Sequence, residues 1–161
     1  MRNGFLAGLI IMLGLAAQSA YAEKSVTCTP LILKTHEKEI ILPGVSDPHA
    51  TQIYFLKNIA QKSIWLDHPD ERHRGAHAGW SSYLRTGKWS ALLLNRKNFT
   101  LNCAEIQPGK VQYQNCEKSI EVCTPQHVQF DSKRKGSYWL VEDQSWEELI
   151  KSLEKRGAKL K

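Results

Sequence analysis

Four cysteines, Cys28, Cys103, Cys116 and Cys123, constrain this chain more than any other feature of its sequence. An even count permits complete pairing, in three ways. Cys103 and Cys116 lie symmetrically about Gly109-Lys110. A hairpin turned by Pro108-Gly109-Lys110-Val111 would set these two cysteines face to face across adjacent strands. That leaves Cys28 for Cys123, and each heads a Cys-Thr-Pro tripeptide. The expected bonds are therefore Cys103–Cys116 and Cys28–Cys123. No Cys-x-x-Cys occurs, and the oxidising surroundings that disulfides need disfavour thiolate ligation of a metal.

Around the cysteines the chain is written in short β-segments. Candidate strands are Val26–Lys34, Glu39–Leu42, Gln52–Asn58, Ser63–Asp67, Trp80–Leu84, Trp89–Leu94, Phe99–Ala104, Lys110–Asn115, Ile120–Cys123, Val128–Phe130 and Tyr138–Val141. Turn residues punctuate them at Pro43-Gly44, Thr86-Gly87, Asn95–Asn98 and Pro108-Gly109, which points to a sandwich or barrel. Phe99, Leu101 and Cys103 alternate with Thr100 and Asn102, as in a half-buried strand. The phase then shifts, because Ala104 and Ile106 are apolar while Glu105 and Gln107 are polar. A β-bulge near Cys103 or a strand end would each account for that. Trp89–Leu94 is apolar on both faces apart from Ser90, which places it centrally in a sheet.

After residue 142 the period changes. Trp146, Leu149, Ile150 and Leu153 recur at helical spacing and form one apolar stripe. Ser145 with Glu148 makes a capping-box pattern, Glu147 and Glu148 suit the positive helix start, and Gly157 supplies a stop. A helix is expected from about 145 to 156, packed on the sandwich; the alternative is a free amphipathic helix that docks a partner or membrane. The expected fold is an all-β antiparallel sandwich of about 8–10 short strands with a C-terminal amphipathic helix. The 161 residues divide into 1–22, 23–143 for the sandwich and 144–161 for the helix. With 42% hydrophobic and 24% charged residues, the composition fits one globular domain and excludes wholesale disorder or a coiled coil.

The N-terminus offers a route to an oxidising compartment. Arg2 gives a positive start, Phe5 to Ala17 is apolar, and Ala20-Tyr21-Ala22 fits the small-x-small cleavage rule. Residues 1–22 thus read as a cleaved signal peptide, with Glu23 as the first mature residue. The apolar run is shorter than the roughly 18–20 residues of a spanning helix, and no basic stop-transfer cluster follows, so no transmembrane segment is expected after cleavage. The expected location is periplasmic or secreted. The formal charge of +6 falls to +5 once Arg2 is removed. Its excess gathers at Lys133-Arg134-Lys135 and at Lys155, Arg156, Lys159 and Lys161. These clusters read as solvated surface that can make weak contact with anionic surfaces. No nucleic-acid recognition motif is present.

Chemistry-bearing constellations are sparse. The run Asp67-His68-Pro69-Asp70-Glu71-Arg72-His73-Arg74-Gly75-Ala76-His77 is the densest polar cluster. His68, His73 and His77 could supply nitrogen ligands to zinc or copper, which gives an alternative reading as a periplasmic metal-binding protein. Against it, Gly75 makes the segment a loop, and Arg72 and Arg74 place positive charge beside the site. No metal site and no cofactor are therefore assigned. No Gly-x-Ser-x-Gly or His-Glu-x-x-His motif occurs and the cysteines are paired, so no catalytic residue is assigned. An envelope hydrolase remains the third reading. Trp65, Trp80, Trp89 and Trp139 sit on or beside strands, and a sandwich core consumes most of them. The candidate binding patch is Trp80, Tyr83 and Trp89, an apolar surface suited to sugar or protein recognition.

Several segments together resemble a known family: Phe55-Leu56-Lys57-Asn58, Ser63-Ile64-Trp65-Leu66-Asp67-His68-Pro69, Ala78-Gly79-Trp80-Ser81-Ser82-Tyr83-Leu84, Gly87-Lys88-Trp89-Ser90-Ala91-Leu92 and Asn98-Phe99-Thr100-Leu101-Asn102-Cys103. The pattern is similar to the enhanced-entry protein B family, small exported proteins of intracellular bacterial pathogens. The resemblance covers most of residues 28–157 and is most specific in Gly-Trp-Ser-Ser and Trp-Ser-Ala-Leu. It implies a part in entering host cells or surviving inside them. It carries over no catalytic residues. The His-rich stretch after Pro69 departs from the Ser/Ala/Asn-type connector of that family, which weighs further against the metal reading. The sequence thus predicts a non-enzymatic binding module of the bacterial envelope, its partner an envelope protein or a peptidoglycan-linked one.

Overall fold

A computed structural model describes residues 26–36, 38–45, 50–68, 80–95, 98–108, 110–130 and 137–160. Residues 1–22, expected to be cleaved, His73 and His77, and the cluster at Lys133–Lys135 lie outside the described residues. Two antiparallel sheets face each other as a β-sandwich. The first runs β1 (Cys28–Pro30), β10 (Ile120–Pro125), β4 (Gln52–Asn58), β7 (Trp89–Leu94) and β12 (Tyr138–Gln144) in spatial order. The second runs β2 (Lys34–His36), β3 (Glu39–Pro43), β8 (Asn98–Gln107), β5 (Ile64–His68) and β6 (Trp80–Leu84), and β9 (Lys110–Gln114) also pairs with β8. β3 and β9 lie end to end along one edge of β8, while β5 occupies the other. A small ribbon of β11 (Val128–Gln129) and β13 (Lys159–Leu160) ties down the end of the chain.

The side-chain period of two explains the layering. In β4 and β7, Tyr54, Leu56, Leu92 and Leu94 point between the sheets to meet Ile40, Leu42, Ile64, Leu66, Leu84, Phe99 and Leu101. Ile53, Phe55, Ala91 and Leu93 point the other way, onto Leu149 and Leu153 of α1 (Trp146–Lys155). Both faces of the first sheet are therefore covered, which is why Trp89–Leu94 is apolar almost throughout. Ser90 is the exception and is buried; its hydroxyl accepts a hydrogen bond from the Asp143 N–H at 3.1 Å. Leu149 and Leu153 are wholly buried, and each contributes roughly 1.5–3 kcal/mol of transfer free energy to docking the helix.

The helix has both ends closed by its own sequence. Ser145 Oγ accepts from the Glu148 N–H, and the Glu148 carboxylate accepts from the Ser145 N–H at 2.9 Å. At the far end Gly157 takes φ +93°, and the N–H groups of Gly157 and Ala158 donate to the carbonyls of Glu154 and Leu153. This is a Schellman closure, which needs the left-handed residue that glycine supplies.

Three sequence expectations change. The expected strand Val26–Lys34 is two strands in different sheets, because the chain crosses between the layers after Pro30. The described residues carry thirteen strands, more than the 8–10 expected, since that crossing and the terminal ribbon add short ones. The phase shift after Cys103 marks neither a bulge nor a strand end. β8 continues to Gln107 with unbroken register, and Ala104 and Ile106 occupy its outward positions. Their apolar character belongs to the outer surface of the second sheet.

Disulfides join Cys28 to Cys123 and Cys103 to Cys116. The first fastens the edge strand β1 to β10. The second is not the directly opposed pair that the sequence suggested. Gln107 pairs with Lys110, so the hairpin centres one residue earlier than expected and Cys103 stands opposite Gln114. A 3-10 turn, Cys116–Lys118, then brings Cys116 back to the buried sulfur of Cys103. Both bonds suit an oxidising, extracellular or periplasmic environment. Among the described residues no helix is long and apolar enough to cross a membrane.

Candidate functional site

Apart from Ile32 and Ile59 in loops, the large apolar side chains exposed among the described residues lie on the outer face of the second sheet. Strand alternation turns Ile64 and Leu66 of β5 inward and leaves Trp65 and Asp67 outward. In β6, Ser82 and Leu84 turn inward while Ser81 and Tyr83 face out. Register then aligns the outward residues across four strands. Tyr83 pairs with Trp65, Trp65 with Ala104, and Ala104 with Tyr113, one row perpendicular to the strands. Directly opposed residues of adjacent strands share a face, so these four side chains form one strip.

The strip is apolar and open. Tyr83 is 42% exposed, Tyr113 46%, Val111 50% and Ile106 53%, whereas Ala104 is buried at 3%. The Trp65 and Tyr83 rings lie 5.4 Å apart, tilted by 54°. Ile106 pairs with Val111 and extends the apolar surface toward the tip of the β8–β9 hairpin. On the opposite side of the row the next outward positions are Ser81, Asp67 and Asn102, again directly opposed. An aromatic row thus runs beside a hydrogen-bonding row. A flat apolar strip with a few convergent polar groups is a surface for recognition.

The expected patch of Trp80, Tyr83 and Trp89 is not assembled. Tyr83 is on the exposed strip, but Trp89 is on the first sheet and faces α1. Its ring lies 4.7 Å from that of Trp146, and the Lys57 ammonium sits 5.3 Å from its centroid. Trp89 thus shares the odd-numbered face of Ala91 and Leu93, which the helix covers. Trp80 pairs with His68 along the backbone, and its side chain lies outside the described part of the structure. Trp65 and Tyr113 are the residues that the sequence reading missed. The signal was there: Ile64 and Leu66 leave Trp65 outward, and Val111-Gln112-Tyr113-Gln114 alternates on a strand with no buried side.

His68 serves packing. Its ring stacks on Phe99 at 4.1 Å, and its Nδ1 lies 2.7 Å from the Thr100 carbonyl oxygen, placed to donate to it. Among the described residues no group of three or more His, Cys, Asp or Glu could hold a metal ion. Of the two basic clusters, Lys155 and Arg156 are exposed at the last turn of α1, where they line a groove with Trp139 and Glu142 of β12.

The sandwich corner beside the strip is fixed by polar contacts. Ser82 Oγ donates to Glu142 at 2.7 Å, and Arg85 binds Asp143 through its backbone N–H at 2.8 Å and its Nε at 2.6 Å. These contacts tie β6 to β12, so Tyr83 is displayed from an anchored strand. Beyond the core, on the inward phase of β8, Lys62 pairs with Glu105 at 2.9 Å, and hydrogen bonds from Lys62 and Gln107 hold the Glu105 carboxyl below the ordinary carboxylate range.

Comparison with protein-family models, with curated proteins and with solved structures finds no match. What the fold and its surface define is a disulfide-bonded β-sandwich that displays an aromatic strip on one sheet and covers the outer face of the other with a helix.

Proposed function

We propose that this chain is an exported, non-enzymatic binding module of the bacterial envelope, and that it meets its partner through the outer face of the second sheet. The observation that carries the reading is the aligned row Tyr83, Trp65, Ala104 and Tyr113, with Ile106 and Val111 beside it. Three of the four sheet faces are packed away, two in the sandwich core and one beneath α1. The fourth keeps large apolar side chains in water, a cost that partner binding would offset. The resemblance to the enhanced-entry protein B family supports a role in entering host cells or surviving inside them.

Retention on isolated envelopes tests the reading. Mature protein should co-sediment with envelope fragments, and the pair of replacements Tyr83→Ser and Tyr113→Ser should release it without lowering the melting temperature. Unchanged retention in that double variant would remove the strip from the binding surface.

A further inference from the structure

We infer that the strip takes a linear glycan of equatorially linked pyranose units, with Trp65, Tyr83 and Tyr113 as stacking platforms and Ser81, Asp67 and Asn102 as the hydrogen-bonding rail. This rests on the binding-module reading and names its ligand class.

Spacing supplies the first argument. Trp65 and Tyr113 are separated by one strand, β8, so the backbones that carry them lie about 9.6 Å apart. That is the length of one disaccharide in an extended, equatorially linked chain, whose alternate rings would meet the two platforms. Ala104, the residue between them, is the smallest side chain of the row and is buried beneath its neighbours, so it does not itself project between the platforms. At the near end the tilted Trp65–Tyr83 pair, 5.4 Å apart, forms an angled platform broad enough for one sugar ring.

Chemistry supplies the second. A pyranose with equatorial substituents has apolar C–H faces and a polar perimeter, so it needs aromatic faces and hydrogen-bonding groups at once. The rail lies one outward position along the strands, about 7 Å from the aromatic row. Asp67 can accept from two neighbouring hydroxyls, Asn102 both donates and accepts, and Ser81 does either. All three stand in one line, since Asp67 pairs with Ser81 on one side and Asn102 on the other. An apolar protein segment or a lipid surface lying across the same strip would bury Asp67 and Asn102 without matching partners, which is costly.

The test titrates the full mature protein with tetramers of β-1,4-linked glucose and β-1,4-linked N-acetylglucosamine, followed by tryptophan emission and amide shifts. The expected result is saturable binding of at least one tetramer, about tenfold or more tighter than its monomer. Tyr113→Ala and, independently, Asp67→Asn should each lose about tenfold, with chemical shifts mapping to β5, β8 and β9. Tyr113 is on an exposed strand and Asp67→Asn is nearly isosteric, so at least one variant keeps its fold. Neither tetramer binding at millimolar concentration overturns the inference, as do equal affinities for monomer and tetramer or for an α-1,4-linked glucose tetramer. A concentration-dependent dimer that Tyr113→Ala dissolves also overturns it, by assigning the strip to a second copy. Envelope retention separates the two levels: if the strip variants lose retention while no tetramer binds, the glycan is wrong and the binding surface stands.

Discussion

Cys103 stands in register with Gln114, yet its sulfur is bonded to Cys116, two residues further along. The bond therefore does more than brace a hairpin. Cys116 begins the 3-10 turn, and its N–H donates to the Lys38 carbonyl beside β3 at 3.2 Å. With both cysteines wholly buried, the disulfide fastens the far end of β9 to the sandwich core. That strand carries Tyr113, so one platform of the strip depends on it.

Replacing Cys103 and Cys116 together with Ala opens a loop of sequence separation 13 and is expected to cost roughly 3 kcal/mol. Urea unfolding should show the fall as a lower midpoint, and non-reducing peptide mapping of the wild type should recover the 103–116 link. A map joining Cys116 to Cys123 would contradict the structure directly.

Trp146 meets Phe55 edge to face at 5.6 Å and Trp89 at 4.7 Å, so it seals the start of the helix against the first sheet. Trp146→Ala is expected to cost on the order of 3–5 kcal/mol, with Trp146→Phe much milder. Unchanged thermal stability together with lost envelope retention would make α1 a docking element in place of a packed one.

Local signals in the sequence were readable and relational ones were not. The helix was legible because its stripe, its Ser145–Glu148 box and its Gly157 stop all act within a few residues of one another. The sandwich was legible from turn spacing. The hairpin register was not, since symmetric cysteines suggest a centre that the backbone need not adopt; pairing Gln107 with Lys110 moved it by one residue. Trp89 shows the same limit. In an apolar run such as Trp89–Leu94, neither face is marked as the outer one, and only the docked helix decides that Trp89 is covered. Trp65 could have been found, because its strand does alternate.

The capping box carries a pH dependence of known sign. Hydrogen bonds from the Ser145 backbone and side chain, with attraction from Lys88 and Arg85, hold the Glu148 carboxyl below its ordinary value of 4.5. The folded chain thus releases this proton more readily than the unfolded one. The resulting stabilisation is complete above the ordinary carboxylate range, shrinks as pH falls through the depressed folded value, and vanishes below it. Glu148→Gln should melt below wild type at neutral pH, with the gap closing on acidification. A gap that widens in acid would reverse the assignment.

Asn58 offers the sharpest test of what holds the sandwich end together. It is wholly buried at the end of β4, and every polar group of its side chain is spoken for. Its Nδ2 donates to the carbonyls of Lys62 at 2.9 Å and Leu84 at 2.8 Å, while Oδ1 accepts from the Ala60 N–H at 2.8 Å. Its backbone joins the β6–β7 turn as well, donating to Lys88 and accepting from Gly87. Two carbonyls can be met only by an NH2 group, so the orientation of the amide is fixed by chemistry. Asn58→Ala strands both carbonyls and an N–H, and is expected to cost about 2–5 kcal/mol. Asn58→Asp is more instructive, because it sets a buried carboxylate against two carbonyl oxygens. Burial and that repulsion would raise the new carboxyl's pKa above the unfolded value, so the folded variant would bind a proton that the unfolded one releases. Stability of Asn58→Asp should therefore rise as pH falls through that raised value and level off below the unfolded one, relative to Asn58→Ala, because the protonated acid can donate to one of the carbonyls. Melting curves of the two variants between neutral and mildly acidic pH measure this. An aspartate variant as stable as wild type at neutral pH would show that water reaches the site and that the amide is not what joins β4 to the β6–β7 hairpin.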